Sequence, residues 1–494
     1  MKYLLGIDVG TTGTKTLLFR QDGALVGTAY RGYPTATPSV GRSEQDPNDW
    51  WQAVTETVRE LCADKDISQN VAAISLSLQG GTVVPVDAAM HPMRPAIVWS
   101  DVRCTAQRQA FAEELGEETM YHKTGWAMED GLPALQIRWI RENEPEIFKK
   151  AAMFLTVPDY ISMKMTGIPA VDLSDAGINQ LYNLRRGVYD QQILSFCGIQ
   201  SAQLATPVRS GTVIGHLTEE AAWELGLTTE TILVAGAHDQ YAVALGAGAT
   251  KDGDMLIGSG TCWVITCIAD APDFRLGLSQ SVAAAANKWG SMCELSAGGV
   301  CLEWWRRNLA IGADGNPLSY EHINEVLSRR KAAEDGLFFY PTTGLAGPGR
   351  RLRKSTFSGL DLAHDRYDMA RAIMEGVAFQ IVWMTEQFPV HPSSDGIKLS
   401  GGASKSDVWC QIVADIAQVP VRIPEVADLA CVGAAILAGV GCGIYRDAAD
   451  GYRHLAVGER VLQPDPKRAK LYAGLLERYK QNAAALSSLY TDAN

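Results

Sequence analysis

Apolar and polar positions along the chain alternate in blocks that predict strands and helices in turn. Residues 3–7 form a continuous apolar run of the kind a strand buried on both faces needs. The run leads through Asp8 into Gly10-Thr11-Thr12-Gly13, and a second apolar run covers residues 14–19. Asp22-Gly23 marks a turn before a third strand near 24–30, so the chain is predicted to open as a meander with glycines at its first hairpin tip. Asp46-Pro47-Asn48-Asp49 then reads as a helix start, with an N-cap, a proline in the first position and an acid in the first turn. Trp51, Val54, Val58 and Leu61 recur at helical spacing and give that helix one buried face. Strands are predicted at 71–77, 97–100 and 231–237, a helix at 134–142, and a further helix from about Asp239.

The opening pattern returns near the middle. Residues 254–261 again run from an apolar strand into a Gly/Ser/Thr turn, and a second apolar run follows at 262–268. Two hairpins of one design, one near the start of each half, suggest two similar α/β domains, 1–250 and 251–494. The second half continues with helices near 369–387, 405–418 and 432–441. Pro464-Asp465-Pro466 opens a last helix with Leu471, Tyr472, Leu475, Leu476 and Tyr479 on its apolar face.

Composition narrows the partners. The 494 residues are 47% hydrophobic and 20% charged, which is the balance of a globular protein. The net charge of −12 and the lack of any Lys/Arg run argue against nucleic acid. The N-terminus turns polar too early for a signal peptide, and the longest apolar stretch, 430–445, is Gly-rich and too short to span a bilayer. Ten scattered cysteines without a CxxC pair read as reduced thiols of a cytoplasmic protein.

Three Gly-rich turns follow apolar strands: Gly10-Thr11-Thr12-Gly13-Thr14-Lys15, Gly258-Ser259-Gly260-Thr261 and Ser400-Gly401-Gly402-Ala403-Ser404-Lys405. Successive backbone N–H groups in such turns cradle anions, and glycine allows close approach. None has the spacing of a Walker A loop or of a dinucleotide-binding GxGxxG. Each alone could be a plain tight hairpin. Together, with Asp8 at the end of a buried strand, they point to a nucleotide and a hydrated Mg²⁺.

These residues resemble the FGGY carbohydrate kinases of the actin/Hsp70/sugar-kinase superfamily. Residues 5–15 resemble the first phosphate motif, and Gly41-Arg42-Ser43-Glu44-Gln45-Asp46-Pro47-Asn48-Asp49-Trp50-Trp51 is similar to the xylulokinase-type stretch before the first long helix. Arg94-Pro95-Ala96-Ile97-Val98-Trp99-Ser100-Asp101-Val102-Arg103 resembles the sugar-side WxDxR segment, and residues 399–406 with Trp409 and Gln411 resemble the adenosine motif. Glu375-Gly376-Val377-Ala378-Phe379 and Gly433-Ala434-Ala435-Ile436-Leu437-Ala438 also fit, in the family's order, from about Lys2 to Tyr490.

The resemblance implies two ribonuclease H-like, actin-like ATPase domains with a cleft between them, sugar on the first and ATP on the second, closing when both ligands bind. It implies Gly10, Thr11, Thr12, Lys15, Gly258, Ser259, Gly260 and Thr261 around the phosphates, with Gly401, Gly402 and Ala403 along the adenosine. Asp8 would reach Mg²⁺ through water, with Asp239 beside the metal. In Gly236-Ala237-His238-Asp239-Gln240, Asp239 takes the place of the general base, although an N-cap role is the bland reading. Gln79, Gly80, Trp99, Asp101, Arg103, His238 and Gln240 are candidates for the sugar side. For Asp101 and Arg103 a salt bridge at a strand end is the alternative, and for Trp99 a place in the core.

The implied reaction is ATP-dependent phosphorylation of a sugar, with a ketopentose such as D-xylulose first and ribulose, a hexulose or a glycerol-like polyol as alternatives. A homodimer is expected by analogy alone. The chain departs from the xylulokinase pattern at Gly80-Gly81, where Met-His is usual, and at His238 and Gln240, where Gly and Asn are common. It also departs at Phe339-Tyr340-Pro341-Thr342-Thr343-Gly344, which only loosely resembles the family's longer stretch. An actin- or Hsp70-like interaction protein would share the nucleotide core. It would not require the WxDxR segment or the Asp239 motif, and an Hsp70 would need a C-terminal peptide-binding domain. A radical-enzyme activator would need clustered cysteines.

Overall fold

In the computed structural model, described for all residues except 276, 331, 333, 335, 342–353, 427, 456–457 and 491–494, the opening apolar run becomes a central strand. The stretch Thr342-Thr343-Gly344 therefore lies outside the described residues. Strands β1 (Tyr3–Val9), β2 (Gly13–Arg20), β3 (Leu25–Gly32), β4 (Val71–Leu78), β5 (Val213–His216) and β6 (Ile232–His238) form a sheet in the order β5-β6-β4-β1-β2-β3. β1 pairs antiparallel with β2, Asp8 opposite Lys15, and parallel with β4, Asp8 opposite Ser77. The predicted helix is α1 (Pro47–Leu61), capped by the Asp46 side chain on Asn48 N–H, with Trp51, Val54 and Val58 buried. Helix α2 (Asp239–Gly246) continues directly from β6.

A second sheet repeats the plan. Strands β7 (Met255–Ser259), β8 (Trp263–Ala269), β9 (Trp289–Leu295), β10 (Ile397–Gly401), β11 (Val421–Glu425) and β12 (Gly458–Leu462) run β9-β8-β7-β10-β11-β12, and the short strand Ser279–Val282 adds a seventh beside β9. Read from the third strand, both sheets have an antiparallel hairpin, two parallel strands beside it and an antiparallel sixth. The helices around the second sheet include α3 (Gly299–Leu309), α4 (Tyr320–Ser328), α5 (Arg366–Thr385) and α6 (Asp407–Ala417). The apolar helix α7 (Leu429–Gly441) and the last helix, α8 (Pro466–Tyr490), complete the second half of the chain.

The chain divides into two compact units, one of residues 1–251, 270–290 and 426–457 and the other of 252–269, 291–425 and 458–494. It first crosses between units at Lys251/Asp252, and two later segments return to the first unit. The returning segment 426–457 carries α7, which is apolar on all sides and buried from Ala430 to Gly439. A helix of that kind must be covered all round, and its Cys431 Sγ reaches the Lys15 carbonyl in the first unit.

The strand expected at 97–100 is shorter than its apolar pattern. Only Ala96–Ile97 pairs, with Glu44–Gln45. Asp101 N–H then donates to the Val98 carbonyl at 2.9 Å, and the Asp101 carboxylate takes Ser43 N–H at 2.6 Å. The other carboxylate oxygen takes Arg103 N–H at 2.8 Å, and an aspartate that bonds backbone two residues on competes with the strand ladder and turns the chain.

Candidate active site

In the first unit, the hairpin between β1 and β2 is closed by Gly10 N–H donating to the Gly13 carbonyl at 3.1 Å. Thr11 Oγ1 donates to Gln79 Oε1 and accepts from Trp99 Nε1, both at 3.1 Å. Gln45 Nε2 donates to the Thr11 carbonyl at 2.6 Å and Gln79 Nε2 donates to Gln45 Oε1. The half-exposed indole of Trp99 is thereby tied to the hairpin and not buried in the core. Thr12 is exposed at the tip, its carbonyl accepting from Tyr30 OH.

Lys15 meets Asp428 at 2.7 Å. No sequence motif singles out Asp428 as the partner of Lys15. One of its oxygens caps α7 through Cys431 N–H, and the other takes the lysine. The capping signal was legible, but the lysine lies 413 residues away in sequence.

Asp8 accepts from Ser77 Oγ at 2.7 Å. Burial pushes its carboxyl up to about 7; the Ser77 bond opposes this, the charges of Asp428 and Asp239 add to it, and Lys15 opposes it. A buried carboxylate facing two others suits a cation. Among the described residues no three His, Cys, Asp or Glu converge closely enough to chelate a metal. Water would have to complete the shell, which is how Mg²⁺ is usually held.

Asp239 is the first residue of α2, and the N-cap position belongs to His238, which makes no side-chain cap bond. The Asp239 carboxyl is therefore free of the capping role, and its side chain is 37% exposed. His238 is buried, and Gln240 follows partly exposed.

Asp101 and Arg103 are buried as a pair. Asp101 Oδ1 takes Arg103 N–H and Nε, and Oδ2 takes Arg103 Nη2 and Ser43 N–H, between 2.6 and 2.8 Å. Arg103 also reaches Glu44 at 2.8 Å and lies over the Trp139 ring. These bonds occupy the carboxylate and fix the loop that carries Trp99.

In the second unit a cavity of about 650 Å³ lies beside the ends of β7 and β10. Gly260, Thr261, Gly402 and Ala403 line it, as do Tyr320, Asn324 and Trp409. Ser259 holds the two turns together: its Oγ donates to the Ser400 carbonyl and accepts from Ala403 N–H, and its carbonyl takes Gly402 N–H at 2.8 Å. Gly258 sits within the sheet opposite Ser400 and Val264. Gly401 has φ +92°, and a Cβ there would lie 2.8 Å from Ser259 backbone, so only glycine fits. At the helix side of the cavity Asn324 Oδ1 accepts from Ser406 Oγ at 2.7 Å, leaving its amide N–H groups for a ligand. Glu303 takes Tyr320 OH, and the Arg306 guanidinium holds its carboxyl down at about 2. Glu303, Tyr320 and Asn324 sit on helices without a motif, so nothing in the sequence marked them.

Two sheets of one strand order, each with a Gly/Thr-bearing hairpin, define the actin-like ATPase fold. The chain belongs to the FGGY family of carbohydrate kinases: the model of its N-terminal domain matches residues 3–246 and that of its C-terminal domain residues 255–442. It is 30% identical to a xylulose kinase of Bacillus subtilis, over 97% of this chain and 96% of the relative. It is 29% identical to a gluconokinase of the same organism, over 99% and 97%. The solved xylulose kinase of Rhodospirillum rubrum superposes with a TM-score of 0.91 at 27% identity, covering 99% of this chain and all of the other. The chain is thus a carbohydrate kinase. Among the described residues no helix is long and apolar enough to cross a membrane.

Proposed function

We propose that the enzyme transfers the terminal phosphoryl group of ATP to a hydroxyl of an uncharged ketose, a ketopentose such as D-xylulose, with Asp239 as general base. The observation that carries this reading is the Asp239 carboxyl, released from capping and partly exposed at the start of α2, in the same unit as Asp8 and the Thr11 hairpin. Phosphoryl transfer demands little covalent help: the enzyme must position the hydroxyl, accept its proton and neutralise the phosphates. Asp239 accepts the proton, and Thr11 and Thr12 present donors at the hairpin. The second-unit cavity, of a volume suited to a nucleotide, is lined by Gly260, Thr261 and Gly402 and offers the Asn324 amide to a ligand. Mg²⁺ held through water from Asp8, with Asp239 nearby, would neutralise phosphate charge.

Relatives include both xylulose kinases and gluconokinases, and charge supports the neutral acceptor. Lys15 and Arg103 are each engaged with carboxylates, while Asp239 lies within electrostatic reach of both Asp8 and Asp175. A sugar acid would bring a further negative charge beside these carboxylates. An enzyme in the cytoplasm acting as a homodimer fits the reading by analogy.

Asp239→Asn should lower turnover by at least ~10²-fold while leaving ATP-analogue binding intact. ADP release by the purified enzyme across ketoses, aldoses, polyols and sugar acids names the acceptor. Near-normal turnover in the variant, or gluconate as the best acceptor, would refute the corresponding part of the reading.

A further inference from the structure

His238, at the end of β6, is 5% exposed. Its main-chain N–H donates to Ser174 Oγ at 2.8 Å, and that hydroxyl in turn donates to Asp172. The strand end is thereby fixed. The imidazole stands 6.0 Å from both the Trp126 and Tyr241 rings. On another side it faces residue 80. A Cβ there would lie 2.8 Å from His238 Cδ2 and 3.0 Å from Asp175 Oδ1, so the ring holds its place only while residue 80 is glycine.

Around this point two buried donors or acceptors remain without a hydrogen-bond partner among the described residues, His238 Nδ1 and Trp126 Nε1, while the carboxyl of Asp175 is paired with that of Asp172. Leaving such a group unsatisfied costs about 1–3 kcal/mol, and a cluster of donors and acceptors left open together is the complement of a polyhydroxylated ligand. His238 Nδ1 also lies 3.4 Å from Asp239 Oδ1 without hydrogen-bonding to it. Hydroxyls on adjacent carbons of a sugar present their oxygens at a similar spacing.

We propose that the enzyme requires a hydroxyl on the carbon next to the one it phosphorylates, and that His238 is the specificity-determining residue that reads it from the space Gly80 leaves open. This rests on Asp239 being the base. The reacting hydroxyl gives its proton to Asp239, and its neighbour hydrogen-bonds to His238 Nδ1. The imidazole thus reaches the acceptor from the residue beside the base, and not from positions 80 and 81, which are glycines.

The test compares D-xylulose, L-ribulose and glycerol, each beside its analogue lacking the hydroxyl next to the terminal carbon, by ADP release. The wild type should favour the complete acceptor by at least ~10-fold in kcat/KM. His238→Ala should abolish that ratio. Gly80→Ala should reduce it by displacing the ring, and should change it little further in a His238→Ala background. A purely structural role for His238 would lower turnover on both acceptors alike and leave the ratio standing, which overturns the proposal. Equal use of the two acceptors by the wild type overturns it without any variant. ADP release from none of them would instead refute the kinase reading for neutral acceptors.

Discussion

Asp8 makes the protein's own electrostatics testable. Its carboxyl is moved from an ordinary 3.8 to about 7, chiefly by burial. A shift of about three units corresponds to ~4 kcal/mol between the two protonation states. Below pH ~4 the carboxyl is protonated folded and unfolded, and folding bears no penalty. As pH rises from ~4 to 7 the unfolded chain releases the proton and the folded one retains it, so this group's contribution becomes less favourable. Above about 7 the penalty is constant. Asp8→Asn keeps an acceptor for Ser77 and cannot ionise. In metal-free, nucleotide-free protein its urea midpoint should therefore exceed that of the wild type by an amount that grows between pH 5 and 7 and levels off, equivalent to about 2–4 kcal/mol at pH 8. Added Mg²⁺ should raise the wild type's midpoint at pH 8 and leave the variant's unchanged. Phosphotransfer by the variant should fall sharply. A difference independent of pH, or a variant less stable than wild type at pH 8, would refute the argument that burial holds Asp8 protonated towards neutral pH until a cation is bound.

Lys15→Gln and Asp428→Asn should each cause similar small losses of stability, with a coupling of about 0.2–1 kcal/mol in a double-mutant cycle; additive effects would return Lys15 to a phosphate-facing role. Asp101→Asn breaks a buried pair with Arg103 and should cost about 3–5 kcal/mol in unfolding experiments. An unchanged midpoint with a raised acceptor KM would make Asp101 a direct sugar contact instead. Gly401→Ala places a Cβ against Ser259 backbone at positive φ; calorimetry with a non-hydrolysable ATP analogue should show a loss of affinity of about 1–3 kcal/mol, and unchanged binding would remove that turn from the nucleotide site.

Much of the local structure was legible because its causes are local. The apolar run at the start of the chain needs burial on both faces, and it became β1. Asp46-Pro47 begins α1 as capping chemistry requires. Gly401 marks a left-handed turn that no other residue tolerates easily. The repetition of a hairpin near residue 254 announced a second sheet of the same plan. Even the motifs that identify the family are short stretches whose meaning lies in consecutive residues.

What the sequence determined by itself was thus most of the elements, the Gly-rich turns at strand ends and the carboxylate that begins α2. The tertiary structure alone decided which partners these groups meet. Lys15, read as a phosphate ligand, is bound to Asp428 because a buried apolar helix from the far end of the chain packs against the first sheet. Asp101 and Arg103, read as candidates for the sugar side, bind one another inside a loop, with Arg103 Nη1 left without a hydrogen-bond partner among the described residues. His238 acquires its place only because Gly80, on another strand's end, leaves volume for the ring. Hydrogen-bond capacity and excluded volume are settled by atoms brought together from distant parts of the chain, and no local pattern encodes that meeting.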